Sequence, residues 1–170
     1  MNVSAEPLSR AAIRKITWKL RELMGYDKNE YFPIVHLIEW VLANPDNDFG
    51  LEFEIVDEDD LRDTYGITNT ARNTMKIRCD VYERAVQGNP RDRFTLCHEL
   101  GHYFLHQPES INYARGKIPA YCDPEWQANT FAAELLAPEK LISGLSVGEI
   151  ADKCGISYQA AEIQYKMVHK

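Results

Sequence analysis

R-F-T-L-C-H-E-L-G-H-Y-F-L-H, residues 93–106, is nearly all apolar from Phe94 onward, apart from its histidines and one glutamate. That pattern predicts a helix buried on most sides. Within it, His98-Glu99-Leu100-Gly101-His102 has the H-E-x-x-H spacing. On a helix, residues four apart differ by about 40° of rotation and 6 Å of rise, so both imidazoles project from one face toward one point. Two histidines and a glutamate in so apolar a segment are costly to bury unless something satisfies them, and a metal ion would. Zinc takes imidazole nitrogen at roughly 2.0–2.1 Å, and a catalytic site keeps three protein ligands and a place for water. Glu99, one residue after the first ligand, is placed to take a proton from that water and return it to a leaving amine. The bare motif also has a plainer reading, two partly exposed histidines without metal. The apolar setting favours the ligand site.

A third ligand should come from another helix. Asp123 reads as an N-cap and Pro124 as the first position of a helix that runs to Leu136 and stops at Pro138. Glu125 opens that helix, with Asn129 one turn later on the same face, where an amide can hold a ligand histidine by its second ring nitrogen. Glu134 is the competitor. It lies nine residues on, about 180° around the helix, so only one of the two can face the ion. Glu125 shares its face with Ala128, Asn129 and Ala132, which would let the two helices approach closely, and it is preferred. His106 extends the series but sits about 12 Å along the axis from His98. It reads as a helix-end histidine near the negative end of the dipole. Cys122 reads as an ordinary free thiol. Tyr113 and Tyr121, on the preceding loop, are candidates for stabilising an oxyanion, with nothing to choose between them and a structural role the plainer reading. The ligand set is not exclusive to zinc, so manganese or another divalent ion stays open.

Around these helices, Ile13, Ile16, Leu20 and Leu23 recur at helical spacing, closed by Gly25. A second helix is expected from Pro33, with Ile34, Leu37, Ile38, Val41 and Leu42 on one face. L-E-F-E-I-V (51–56) alternates as a half-buried strand, and 74–81 predicts another. Between strands, the acidic run 57–60 reads equally as a short helix or a solvated turn. Residues 87–93 read as a turn, and 107–124, with Gly116 and three prolines, as a long loop bordering the site. Residues 145–165 have a helix-turn-helix pattern, with Gly155 at the turn and Ser157 as N-cap of the second helix. That second helix (158–166) carries one lysine, one glutamate and no arginine, so packing or protein docking is preferred over DNA contact.

The fold expected is α+β and zincin-like: a small mixed or antiparallel sheet packed on a helical bundle that carries the H-E-x-x-H helix. At 170 residues the chain has the size of one domain. It would comprise N-terminal helices (1–45), a catalytic core (46–140) and helix-turn-helix-like C-terminal helices (141–170). A net charge of −7 and a pI near 5.2 argue against binding nucleic acid through the whole surface. The four cysteines form no C-x-x-C pair, no run approaches the roughly 18 apolar residues of a membrane span, and the first ten residues lack the features of a signal peptide. A cytoplasmic protein with free thiols and no membrane partner is expected.

Residues 93–106 and 125–138 together resemble the ImmA/IrrE family of zinc metallopeptidases. The first matches the block R-F-T-x-x-H-E-x-G-H and the second E-x-x-A-N-x-F-A-A-x-L-L-x-P, with Ala137 standing where a methionine is usual. The resemblance implies a gluzincin-type endopeptidase with His98, His102 and Glu125 on one zinc ion per chain and Glu99 as general base. It further implies that the substrate is a helix-turn-helix repressor of a mobile element or prophage, cleaved to release transcription. Two other readings stand beside it. One is a non-catalytic zinc-binding regulator or toxin–antitoxin component acting through protein contacts; the other is a zinc hydrolase of small molecules. An intact Glu99 favours an enzyme, because a purely structural site has no use for the base.

Overall fold

The computed structural model describes residues 2–170. The chain opens with β1 (Asn2–Ala5), α1 (Arg10–Met24) and α2 (Ile34–His36), which continues as a π-helical segment (Leu37–Leu42). Next come β2 (Glu52–Val56), α3 (Glu58–Leu61), β3 (Gly66–Asn69), β4 (Thr74–Arg78), α4 (Cys79–Val86) and α5 (Pro90–Leu105). A 3₁₀ turn (Pro108–Ser110), β5 (Ile111–Ala114) and a second 3₁₀ turn (Ala120–Cys122) lead to α6 (Pro124–Leu136). The chain then runs through α7 (Glu139–Ile142), α8 (Val147–Cys154) and α9 (Tyr158–Val168). The class is α+β.

The main sheet is small and mixed, with strand order β2-β4-β3. β2 runs parallel to β4, with Phe53 opposite Met75, and β3 runs antiparallel to it, with Thr68 also opposite Met75. Met75 and Ile77 of the central strand are fully buried. The expected strand over 74–81 ends at Arg78. Val81 and Ala85 are buried one helical turn apart on α4, a pattern whose first residues alternate like a strand. The expected alternation of 51–56 is also only partly realised: Phe53 packs against Tyr82 with the rings tilted, but Ile55 on this outer strand is 47 % exposed. The segment 107–124 is not a plain loop, since β5 within it pairs antiparallel with β1, Ala5 opposite Ile111.

Helix α5 starts earlier than its apolar run. The Asn89 side chain accepts from the amides of Arg91 and Asp92, at 3.1 and 3.2 Å, and Pro90 takes the first helical position. The expected turn 87–93 therefore closes at Asn89. Helix α6 is capped by Asp123, whose side chain accepts from the Glu125 amide at 3.0 Å, and it ends at Leu136, two residues before Pro138.

Where α5 and α6 cross, Gly101 faces Ala128. A Cβ on Gly101 would lie 3.0 Å from Ala128 Cα, 3.1 Å from Ala128 O and 3.2 Å from Phe131 Cβ. Two of those three atoms are backbone, so the helices would have to separate. Gly101→Ala gains about 1 kcal/mol of helix propensity but overpacks the crossing, at a cost of about 1–3 kcal/mol. A net loss of up to about 2 kcal/mol is expected from the urea midpoint, with weaker metal uptake because the two helices carry different candidate ligands. An unchanged midpoint would show that the crossing has slack.

Helix α1 buries Ile13, Thr17 and Arg21, whereas Ile16 and Leu23 of the expected face are 38 % and 74 % exposed. The helix is turned by Arg21, which is fully buried and makes no ion pair among the described residues. It donates to the carbonyls of Leu135 (2.7 Å), Leu136 (3.3 Å), Tyr26 (3.0 Å), Asn29 (2.6 Å) and Glu30 (3.0 Å). Buried Arg93 acts similarly on Phe32, Cys154 and Gly155, with its guanidinium 3.8 Å from the ring centre of Tyr31.

The C-terminal segment has the helix-turn-helix outline. Ser146 and Glu149 form a capping box on α8, Gly155 turns the chain at a φ of 63°, and Ser157 caps α9. Its inner residues Ile150, Cys154, Ile156 and Ala161 belong to the same buried cluster as Ile13, Leu100 and Leu135. Gln164 ties α9 inward by accepting from Arg10 and donating to Ala137 O. All four cysteines are free, and burial pushes the Cys97 and Cys154 thiols up to about 12 and about 11. Among the described residues no helix is long and apolar enough to cross a membrane.

Candidate metal centre

His98 and His102 leave α5 from successive turns, and Glu125 leaves the first turn of α6. The two Nε2 atoms lie 3.0 Å apart, and the Glu125 carboxylate sits 3.2 Å from each. All three ligand atoms fall within 4.8 Å of one another. Donors at 2.0–2.1 Å from a tetrahedral ion are about 3.4 Å apart. The triangle therefore fits a small ion with slight expansion, and two imidazoles plus a carboxylate are a donor set that zinc favours. Asn129 Oδ1 is 2.9 Å from His98 Nδ1, which donates to it and leaves His98 Nε2 free to bind.

Glu99 lies beside this group, buried. Its Oε2 accepts from Thr68 Oγ1 of β3 at 2.7 Å. Burial raises its carboxyl above the ordinary range and neighbouring Glu125 adds to that, while the Thr68 hydrogen bond and His98 pull the other way. The strand reaches Glu99 only because of Gly66. A Cβ there would lie 2.9 Å from Glu99 Cγ and 2.7 Å from Ile77 Cδ1.

Two clefts meet at the centre. One, of roughly 590 Å³, lies between residues 63–68 and the start of α5, lined by Phe94, Thr95 and the four residues His98, Glu99, Glu125 and Asn129. The other, of roughly 640 Å³, continues past His102 toward His106, Val3 and Tyr113. Ile67, Thr68, His102 and Glu125 line both, so β3 runs along one continuous groove. The outer edge of β3 pairs with no strand among the described residues.

The alternatives weighed for the third ligand fall elsewhere. Glu134 is fully buried on the far side of α6, where Arg10 and Arg14 hold it at 2.7 and 3.0 Å. Cys122 is half-buried and outside the ligand group. Tyr113 is 73 % exposed on the wall of the second cleft, and Tyr121 is 51 % exposed. His106 closes α5, but not as a cation favoured by the dipole. Burial lowers its pKa, and its ring bridges His102 Nδ1 and Gln127 Oε1, both at 2.9 Å. Thr68, Gly66 and Gln127 carried no signal in the sequence. For His106 the only signal was its position one turn past His102.

An α+β chain that brings two imidazoles and a carboxylate from crossing helices to one point, beside a buried carboxylate and along an open groove, is built like a metallopeptidase. The family model for the IrrE N-terminal-like domain, a peptidase family, matches residues 63–165, from the turn before β3 into α9. The chain belongs to this family. No curated protein matches it in sequence.

Proposed function

We propose that the chain is a zinc-dependent endopeptidase, one zinc ion per chain, whose substrate is a helix-turn-helix transcriptional repressor. The observation that carries the catalytic part is the meeting of His98, His102 and Glu125 with Glu99 on the groove floor. His98, His102 and Glu125 would hold the ion, which when bound would polarise water and the scissile carbonyl. Asn129 orients His98. Thr68 pins one oxygen of Glu99, leaving Oε1 to take the water's proton and pass it to the leaving amine. The open edge of β3 is suited to pair with an extended peptide, which would lay a backbone carbonyl across the centre. The repressor as substrate rests on the resemblance of the two motif blocks, as does regulation of transcription. In this reading 1–170 acts as one zincin-like domain, supported by a buried cluster that runs from Ile13 to Ala161. Four free thiols fit a cytoplasmic setting.

The test is metal content by native mass spectrometry on the wild type, His98→Ala and Glu125→Ala. About one zinc per chain in the wild type, lost or much weakened in both variants, is expected. A wild type that cannot be loaded with any divalent ion would sink the peptidase reading. Zinc held equally well by Glu125→Ala would remove Glu125 from the ligand set.

A further inference from the structure

Gln127 is fully buried on α6, two residues past Glu125. Its Nε2 donates to two backbone carbonyls, Glu6 O at 2.8 Å and Tyr121 O at 2.7 Å. Turning the amide over would set its oxygen against both carbonyl oxygens, so its orientation is determined. Oε1 therefore faces His106 Nε2 at 2.9 Å, and that nitrogen must carry a hydrogen. His106 is buried and makes no ion pair among the described residues, so it is held as a neutral ring with one donor and one acceptor. Its Nδ1 is thus bare. His102 Nδ1 stands 2.9 Å away and must be the donor across that gap. The lone pair of His102 is then on Nε2, the atom that faces His98 Nε2 at 3.0 Å and Glu125 Oε1 at 3.2 Å. His98 reaches the same state by a shorter route, through Asn129.

The geometry points to Gln127 and His106 as positioning residues that hold His102 in the tautomer whose Nε2 can bind a metal ion. This inference rests on His102 being a ligand, as proposed above. It gives the two histidines separate supports: one amide for His98, and for His102 a three-step chain anchored on the backbone at Glu6 and Tyr121. Those anchors follow β1 and precede α6, so two segments far apart in the chain contribute to the state of one ring nitrogen. Without His106, the Nδ1 hydrogen of His102 loses its acceptor. The alternative tautomer, with a hydrogen on Nε2 where the ion should be, then becomes competitive. Loss of the outer partner of a ligand histidine typically weakens metal binding about 10–100-fold.

Nitrogen-15 NMR of the imidazole rings in the metal-free wild-type chain reads the tautomers directly, at a pH well above the ordinary histidine value of about 6.5. The hydrogen is expected on Nδ1 of His102 and on Nε2 of His106; a hydrogen on Nε2 of His102 overturns the inference. Zinc affinity, measured against a competing chelator, provides the second arm. Gln127→Met and His106→Leu should each bind zinc about 10–100-fold more weakly with unchanged circular dichroism. His106→Gln should recover most of that loss, because its side-chain oxygen can accept from His102 Nδ1. Undiminished affinity in His106→Leu also overturns the inference. The expected tautomers in a wild type that takes up no zinc would support the relay and overturn the ligand reading instead.

Discussion

Glu99→Gln is expected to lower peptide hydrolysis by about 10²–10⁴-fold, the usual contribution of a positioned general base, with zinc content unchanged. The separation of the two readouts follows from the geometry, because Glu99 is not among the three groups that converge on the ion site. Its carboxylate is held by Thr68 from the opposite wall, and glutamine can keep that contact through its side-chain oxygen. The effect on stability has a definite sign. Burial raises the Glu99 carboxyl above its ordinary range, so its ionised form costs folding free energy at neutral pH. That cost is relieved as pH falls through the folded-state value. Glutamine carries no such charge, and the metal-free variant should melt no lower than the wild type. Full biological activity in Glu99→Gln would instead favour a regulator that works by binding alone.

The largest expected loss of stability is at Arg21. Arg21→Met removes the donor to five backbone carbonyls at once. Each buried acceptor left unsatisfied costs about 1–3 kcal/mol, and water that enters recovers part of that. A net loss of about 3–5 kcal/mol is expected, or a melting temperature lower by roughly 10 °C for a chain of this size. Although burial pulls its pKa down to about 10, Arg21 stays charged at neutral pH. Its partners Leu135 and Leu136 lie at the C-terminal end of α6, where a cation is favoured by the helix dipole. Lysine should rescue little, since one ammonium cannot span carbonyls on both α6 and the segment 26–30. A loss below about 1 kcal/mol in chemical denaturation would mean that the carbonyls find other partners.

What was legible in the sequence was local. Asp123 and Pro124 mark the start of α6 because a cap and its first turn are neighbours in the chain. The face shared by Glu125 and Asn129, and the opposite placing of Glu134, follow from helix periodicity alone. The readings that failed depend on distant partners. β5 looks like loop until β1, more than a hundred residues earlier, lies beside it. Ile16 and Leu23 fit an apolar stripe, but no periodicity predicts that an arginine will be buried as deeply as Ile13 and more deeply than either of them. The first residues of α4 carry the same alternation as β4, and only the burial of Val81 and Ala85 separates the two. His106 does sit at the helix end, yet its partner Gln127 belongs to another helix, so the contact is not legible from spacing.

Thr68 and Gly66 belong to one short strand. The lip of the groove and the clasp on Glu99 are therefore the same piece of backbone. In the proposed reading, a peptide paired along that lip would bear on the strand that holds Glu99, so occupancy and readiness would be joined. A side chain on Gly66 would have to displace Ile77 or Glu99, so the same position governs both the groove wall and the acid beside it.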